Sequence, residues 1–414
     1  MKKEMKRNTN ILLIFLATLA LAVWPIGNIS SPADAIGGNF VVHGGPLRQA
    51  IASATYNPSS NQYMVVWEDN ISGQNQAKGI ILDTNGLPVG SSFYISPSDS
   101  IQTRPVVVYN NADNEYFVTW KDSKASLING LNIYGQRFAS DATPVGNTIT
   151  VSSGPKNEEE HWVVYNSLNN QYLSVWRDTR NELTNGIDIF GQIVNADGSL
   201  FGSEIPISTA TNHQLFQQLA FNSANNQYLI VWRELRNLDT TGPDIYGQRV
   251  NESGNLVGSE IVVSNAANQQ MRPTLRYNSQ LNEYLVVWGD GTNAATLYDI
   301  YGARVNAKGN VVRAQPISTS IGAQFRQEID YNSVNGQYLV AYADNRNSLT
   351  SGFDIRGQLL KNRGQVLGPE ITISNAVGDQ IKPIVSYNSV NNNYLVVWSD
   401  FRNGNFDIYG QIVG

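Results

Sequence analysis

A phrase made of Tyr-Asn, a short gap, then Tyr-Leu-Val-Val-Trp and an acidic residue recurs seven times along the chain. Its fullest copy runs from Tyr387-Asn388 to Trp398-Ser399-Asp400. Others centre on Trp67, Trp120, Trp176, Trp232, Trp288 and, with tyrosine substituted, Tyr342. The leading aromatics, Tyr56, Tyr109, Tyr165, Phe221, Tyr277, Tyr331 and Tyr387, stand 53 to 56 residues apart. A period of that length marks solenoids, propellers and arrays. Repetition also sorts residues: those present in every copy build the unit, and those peculiar to one copy are where function is sought.

One copy read as a physical object gives four short strands. Thr274 to Tyr277 is short and ends in the turn signal Asn278-Ser279. Glu283 to Trp288 is rich in β-branched and aromatic residues, which marks a strand. A polar loop from Gly289 to Leu297 precedes Asp299 to Val305, which alternates apolar with polar residues. After a glycine-containing turn, Gln315 to Ser318 is the fourth strand. Four antiparallel strands without a helical period describe a propeller blade. The glycine of the third strand (Gly135, Gly191, Gly247, Gly302, Gly357, Gly410, with Gly79 in a decayed first copy) lets a neighbouring ring or backbone approach closely.

The fold class expected is all-β: a seven-bladed propeller with repeats near 49–96, 102–152, 158–208, 214–264, 270–318, 324–374 and 380–414. The last copy stops after its third strand, and an orphan strand, Gly38 to His43, precedes the first copy. Pairing the two completes the seventh blade and removes two exposed sheet edges.

Residues 1–35 read as a signal peptide. Lys2, Lys3, Lys6 and Arg7 precede an apolar stretch of 14 residues, Ile11 to Trp24, and Ala33-Asp34-Ala35 offers small residues for cleavage. The stretch is shorter than the roughly 20 residues a bilayer span needs. The expected product is exported, extracellular or periplasmic, without membrane insertion, and monomeric. There is no cysteine, which excludes disulfides, thiolate metal sites and cysteine nucleophiles. Loss of the segment's four basic and two acidic residues takes the formal charge from −6 to −8, and an acidic chain without a basic block argues against nucleic acid.

At Trp398-Ser399-Asp400-Phe401-Arg402-Asn403-Gly404 and the following Asp407-Ile408-Tyr409, the chain resembles the TolB-type, WD-like bacterial propeller repeat. The likeness extends over all seven copies. The Ser-Pro-Asp-Gly turn common in that family is replaced here by patterns such as Asn388-Ser389-Val390-Asn391-Asn392. What the resemblance implies is exported, non-catalytic, protein-binding blades. From the sequence as a whole the expected partner is a protein or glycan ligand, and no cofactor is expected.

Four sets of residues invite a functional reading. The carboxylates two positions after each tryptophan (Asp69, Asp122, Asp178, Glu234, Asp290, Asp400, and Asp344 after Tyr342) repeat in every blade, four of them with an arginine two residues on. That repetition points to loop capping rather than a metal. Seven residues before Tyr-Asn, Gln102, Gln214, Gln270, Gln324 and Gln380 recur, with Glu158 in the third copy. Such amides satisfy backbone groups where the chain turns from rim to hub. Five residues before Tyr-Asn stand Ile51, Arg104, Glu160, Phe216, Arg272, Arg326 and Lys382, at one mouth of the channel. Four of the seven are cations, so Arg104, Arg272, Arg326 and Lys382, with Glu160 and Trp162, are ligand-binding candidates. Pairing of these cations with Glu328 and Asp330 is the competing expectation. Finally, Pro155 to Trp162 is the least repetitive stretch, and its Glu158, Glu159, Glu160 and His161 are the catalytic candidates, because carboxylate pairs can share acid and base duties and Glu with His can bind a divalent metal. The leading expectation is a non-catalytic binding module. The alternatives are a carbohydrate-active hydrolase or lyase on this scaffold, or a lectin-like sugar binder.

Overall fold

The computed structural model describes residues 34–124, 130–293 and 295–414. The expected signal segment therefore lies outside the described residues, apart from its last two positions. Seven four-stranded antiparallel sheets form a ring. The innermost strands are Gln49–Asn57, Gln102–Asn110, Glu158–Asn166, Gln214–Asn222, Gln270–Asn278, Gln324–Asn332 and Gln380–Asn388, each nine residues long. Each packs against the innermost strand of the next blade, and the last packs against the first, so together they surround a central channel. These strands begin earlier than expected, at the glutamine or Glu158, because a bulge interrupts their alternation without ending them.

The ring closes as anticipated from its ragged ends. The strand Ala35–His43 pairs with Asp407–Val413 as the outermost strand of the seventh blade, from Ala35 against Val413 to His43 against Ile408. It starts earlier than the expected Gly38. Phe40 fills the place that the third-strand glycine leaves open: a methyl group on Gly410 would lie 2.5 Å from its ring.

The core lies between blades rather than within them. Alternate residues of each second strand face opposite neighbours, so Leu395 and Val397 pack towards the first blade while Val396 and Trp398 pack towards the sixth. All six tryptophans of the repeat are buried. Five of them donate their indole N–H to the carboxylate two residues on, at 2.7–3.3 Å. In blade six the substituted Tyr342 donates instead to Glu370, at 2.7 Å. Asp178, Asp344 and Asp400 also receive forked contacts from the following arginine, as between Arg402 and Asp400 at 2.9 and 2.6 Å. They organise the long loop, and their lone pairs are taken by nitrogen donors.

Candidate functional site at the channel mouth

The seven residues found five before each Tyr-Asn share a backbone state. Ile51, Arg104, Glu160, Phe216, Arg272, Arg326 and Lys382 all have positive φ, between 46° and 57°. Each sits in a register shift of its innermost strand, for example between Met271 and Thr274. A non-glycine residue held there costs on the order of 1 kcal/mol or more, and bulges of this kind re-aim side chains. Nothing local in the sequence favours the conformation at Ile51 or Phe216, so packing between blades imposes it. Part of that support is visible. Gln217 donates to the Glu160 carbonyl and Gln327 to the Arg272 carbonyl, while the Arg104 amide donates to Glu68 at 2.8 Å.

All seven bulge residues line one cavity of about 220 Å³, together with Trp162, Gln217, Gln218, Gln327 and Glu328. The six binding candidates named from the sequence, Arg104, Glu160, Trp162, Arg272, Arg326 and Lys382, are thus neighbours around a single space. The four catalytic candidates are not. Glu158 is fully buried away from the cavity, accepting from the Gly154 amide at 2.5 Å. Burial pushes its carboxyl up to about 7. Glu159 is engaged by Arg177. His161 is buried, both ring nitrogens lack a partner, and burial pushes its imidazole down to about 3. Of this stretch only Glu160 and Trp162 reach the cavity, because the bulge at Glu160 splits the run between faces.

Glu160 is a carboxylate bracketed by two guanidinium groups, Arg104 at 3.0 Å and Arg177 at 3.4 Å. A second carboxyl enters from blade six. Glu328 accepts from Gln218 across the channel at 3.3 Å and from the Thr274 hydroxyl at 3.1 Å. Burial pushes it up to about 7, against the opposing field of Arg276. Residues Trp162, Gln218, Glu328 and Ile384 also line a second chamber of about 530 Å³, so they form the waist between the two halves of the channel.

The expected pairing of the mouth cations with Glu328 and Asp330 does not occur. Asp330 is taken by Arg276 at 2.9 Å and by the Tyr387 amide at 2.7 Å. Among the described residues Arg272, Arg326 and Lys382 make no ion pair. Arg272 lies over the Phe216 ring at 4.1 Å. Burial and the neighbouring Arg326 push Arg272 down to about 10, and burial with Arg326 and Arg104 pushes Lys382 down to about 8. The recurring glutamines are buried and donate to backbone carbonyls, as Gln324 does to Ser320 and Gly322.

Glu328 and the cavity-facing amides were not singled out from the sequence as site residues. A signal existed: two positions after each bulge residue the copies read Ser53, Val106, Trp162, Gln218, Thr274, Glu328 and Ile384, with no common character.

No family model and no curated protein matches the chain. Solved structures do share its fold. A protein of unknown function from Dyadobacter fermentans is 9% identical, with a TM-score of 0.55 over 92% of this chain and 98% of its own. An α-L-arabinanase from Penicillium chrysogenum, complexed with arabinobiose, is 12% identical, with a TM-score of 0.53 over 80% of this chain and 99% of its own. An α-L-arabinofuranosidase from Fusarium graminearum, in complex with an iminosugar inhibitor, is 10% identical, with a TM-score of 0.51 over 78% of this chain and 98% of its own. These likenesses are of fold. They correct the leading expectation nonetheless, since propellers of this shape include carbohydrate-acting enzymes and no family model, of the TolB type or another, matches the chain. The reading of a non-catalytic interaction module leaned on the blade repeat, which specifies a scaffold and not what the scaffold carries.

Proposed function

We propose that the chain is an exported carbohydrate-active enzyme, a glycoside hydrolase, working in the cavity at the channel mouth. The observation that carries this reading is the pair of carboxyl groups, Glu160 and Glu328, lining one cavity in opposite environments. A carboxyl that burial keeps protonated, lining the same cavity as one held by guanidinium groups, divides the acid and base duties between them. Glu328, pushed up to about 7, holds a proton near neutrality and is the general acid for the leaving oxygen. Glu160, bracketed by Arg104 and Arg177, is the carboxylate that activates water or attacks the sugar. Trp162 and Phe216 line the same space and supply apolar ring faces. The arabinose-processing propellers of like fold support the substrate class. The basic and apolar residues of 1–24 support export.

The test is release of reducing ends from a panel of polysaccharides, arabinan included, by the purified protein and by Glu160→Gln and Glu328→Gln. Each variant should lose about 100-fold or more in kcat while still binding the substrate. The wild-type rate should fall as pH rises through about 7, where Glu328 gives up its proton. Wild-type turnover by both variants, or no turnover of any glycan by the parent protein, overturns the reading.

A further inference from the structure

We infer that the cavity takes an acidic saccharide, a sugar bearing a carboxylate held by Arg272, Arg326 and Lys382. This rests on the glycan-processing reading and names its substrate class. Four of the seven bulge residues are cations, in a chain of formal charge −6. Only Arg104 among them has a carboxylate partner within the described residues, namely Glu160. The other three stand together around one cavity. Crowding half-buried like charges around one space is unfavourable unless something compensates them. The fold itself does not require them. Blades one and four carry Ile51 and Phe216 at the same position, with the same positive φ and against the same cavity. The cations are therefore a feature of what the cavity holds rather than of how the blade is built.

A second observation points to a sugar rather than a simple inorganic anion: Phe216 and Trp162 put aromatic ring faces on the same cavity. Gln217 and Gln327 are buried behind it, and each spends its amide N–H on a carbonyl of the preceding blade's bulge residue, so they hold the bulges in place. Arginine and lysine take the carboxylate by charge-assisted hydrogen bonds. Cations and aromatic faces thus share a space of about 220 Å³, suited to the terminal residue of a chain.

The test is calorimetric titration with three probes: a galacturonate trisaccharide, a neutral arabinose trisaccharide and a sulfated galactose trisaccharide. The proteins are the mature chain in its Glu328→Gln form, so that turnover does not intrude, and the same chain with Arg326→Phe and Lys382→Ile. Those replacements are residue types the ring already carries at this position. The galacturonate probe should bind most tightly. The double replacement should weaken it about 100-fold or more, because it removes two charge-assisted hydrogen bonds to the carboxylate. Equal or tighter binding of the neutral probe, tighter binding of the sulfated probe, or undiminished galacturonate binding by the double variant overturns the proposal. Selective galacturonate binding with no glycan turnover by the parent protein would instead sink the hydrolase reading and leave this one standing. Turnover of a neutral glycan without galacturonate binding would do the reverse.

Discussion

Glu158 stands where six blades carry glutamine, and the exchange has a physical cost. In those blades the amide N–H₂ donates inward, as Gln214 does to the Ala210 and Asn212 carbonyls. Glu158 has no such hydrogens when ionised, one of its oxygens is buried without a partner, and Asp178 lies nearby. Its carboxyl is pushed up to about 7 from an ordinary value near 4.5. A carboxyl raised in the folded state stabilises fully below its unfolded value, and that contribution is lost as pH rises from about 4.5 through about 7. Glu158→Gln is therefore expected to raise Tm by several degrees at pH 8 and by little at pH 4.5. An unchanged difference across that range, measured by calorimetric melts, would show that the raised value is not what destabilises the site. The bulge residues were legible as a set from their constant distance to Tyr-Asn. Their positive φ was not, since Arg272 and Ile51 share no local signal for it and the inter-blade contacts that impose it span about one period of sequence. Glu328 was likewise readable only as an acid near the mouth, because its partner Gln218 lies 110 residues away.

At the scale of the blade, the Tyr-Asn dipeptide does two jobs, of which the sequence disclosed one. The asparagine oxygen accepts from amides two and three residues on, which is the expected turn. Its nitrogen crosses to the next blade, as Asn110 reaches Asn170 at 2.8 Å and Tyr172 at 2.9 Å. The belt continues round to Asn388 and Asn61 at 3.4 Å, joining the last blade to the first. Blade six breaks the pattern, with Gly336 at the left-handed position that asparagine occupies in the other blades. Asn362, from the third-strand turn, supplies the missing oxygen to Asn278 at 2.5 Å. Asn362→Ala should accordingly cost about 1–2 kcal/mol, read as a lowered urea midpoint at unchanged slope. The same change at Asn255, which sits in an exposed turn of blade four, should cost less. Equal losses at both sites would remove Asn362 from the belt.

For the whole molecule, the seam at blade seven is the decisive contact. Its outermost strand, Ala35–His43, comes from the far end of the chain and lies against Asp407–Val413, and the Asp34 amide donates to the Gly414 carbonyl at 3.1 Å. The architecture was readable here because both ragged ends pointed to one remedy, whereas the occupant of the channel left no comparable mark in the repeat. Deleting 34–43 should expose an apolar strand edge, and a concentration-dependent rise in mass by light scattering should follow. Moving the same segment to follow Gly414 through a short flexible linker should restore the monodisperse form and the melting temperature. Failure of the permuted chain to recover would mean that the strand's covalent position, and not its pairing, holds the ring together.

That seam also sets a timetable. Ala35–His43 is made before the other strands and must wait, unpaired, until Asp407–Val413 has been made, so six blades can assemble while the seventh is still incomplete. Ring closure is therefore a late step, set by the arrival of the seventh blade's third strand and not by the stability of the six blades before it.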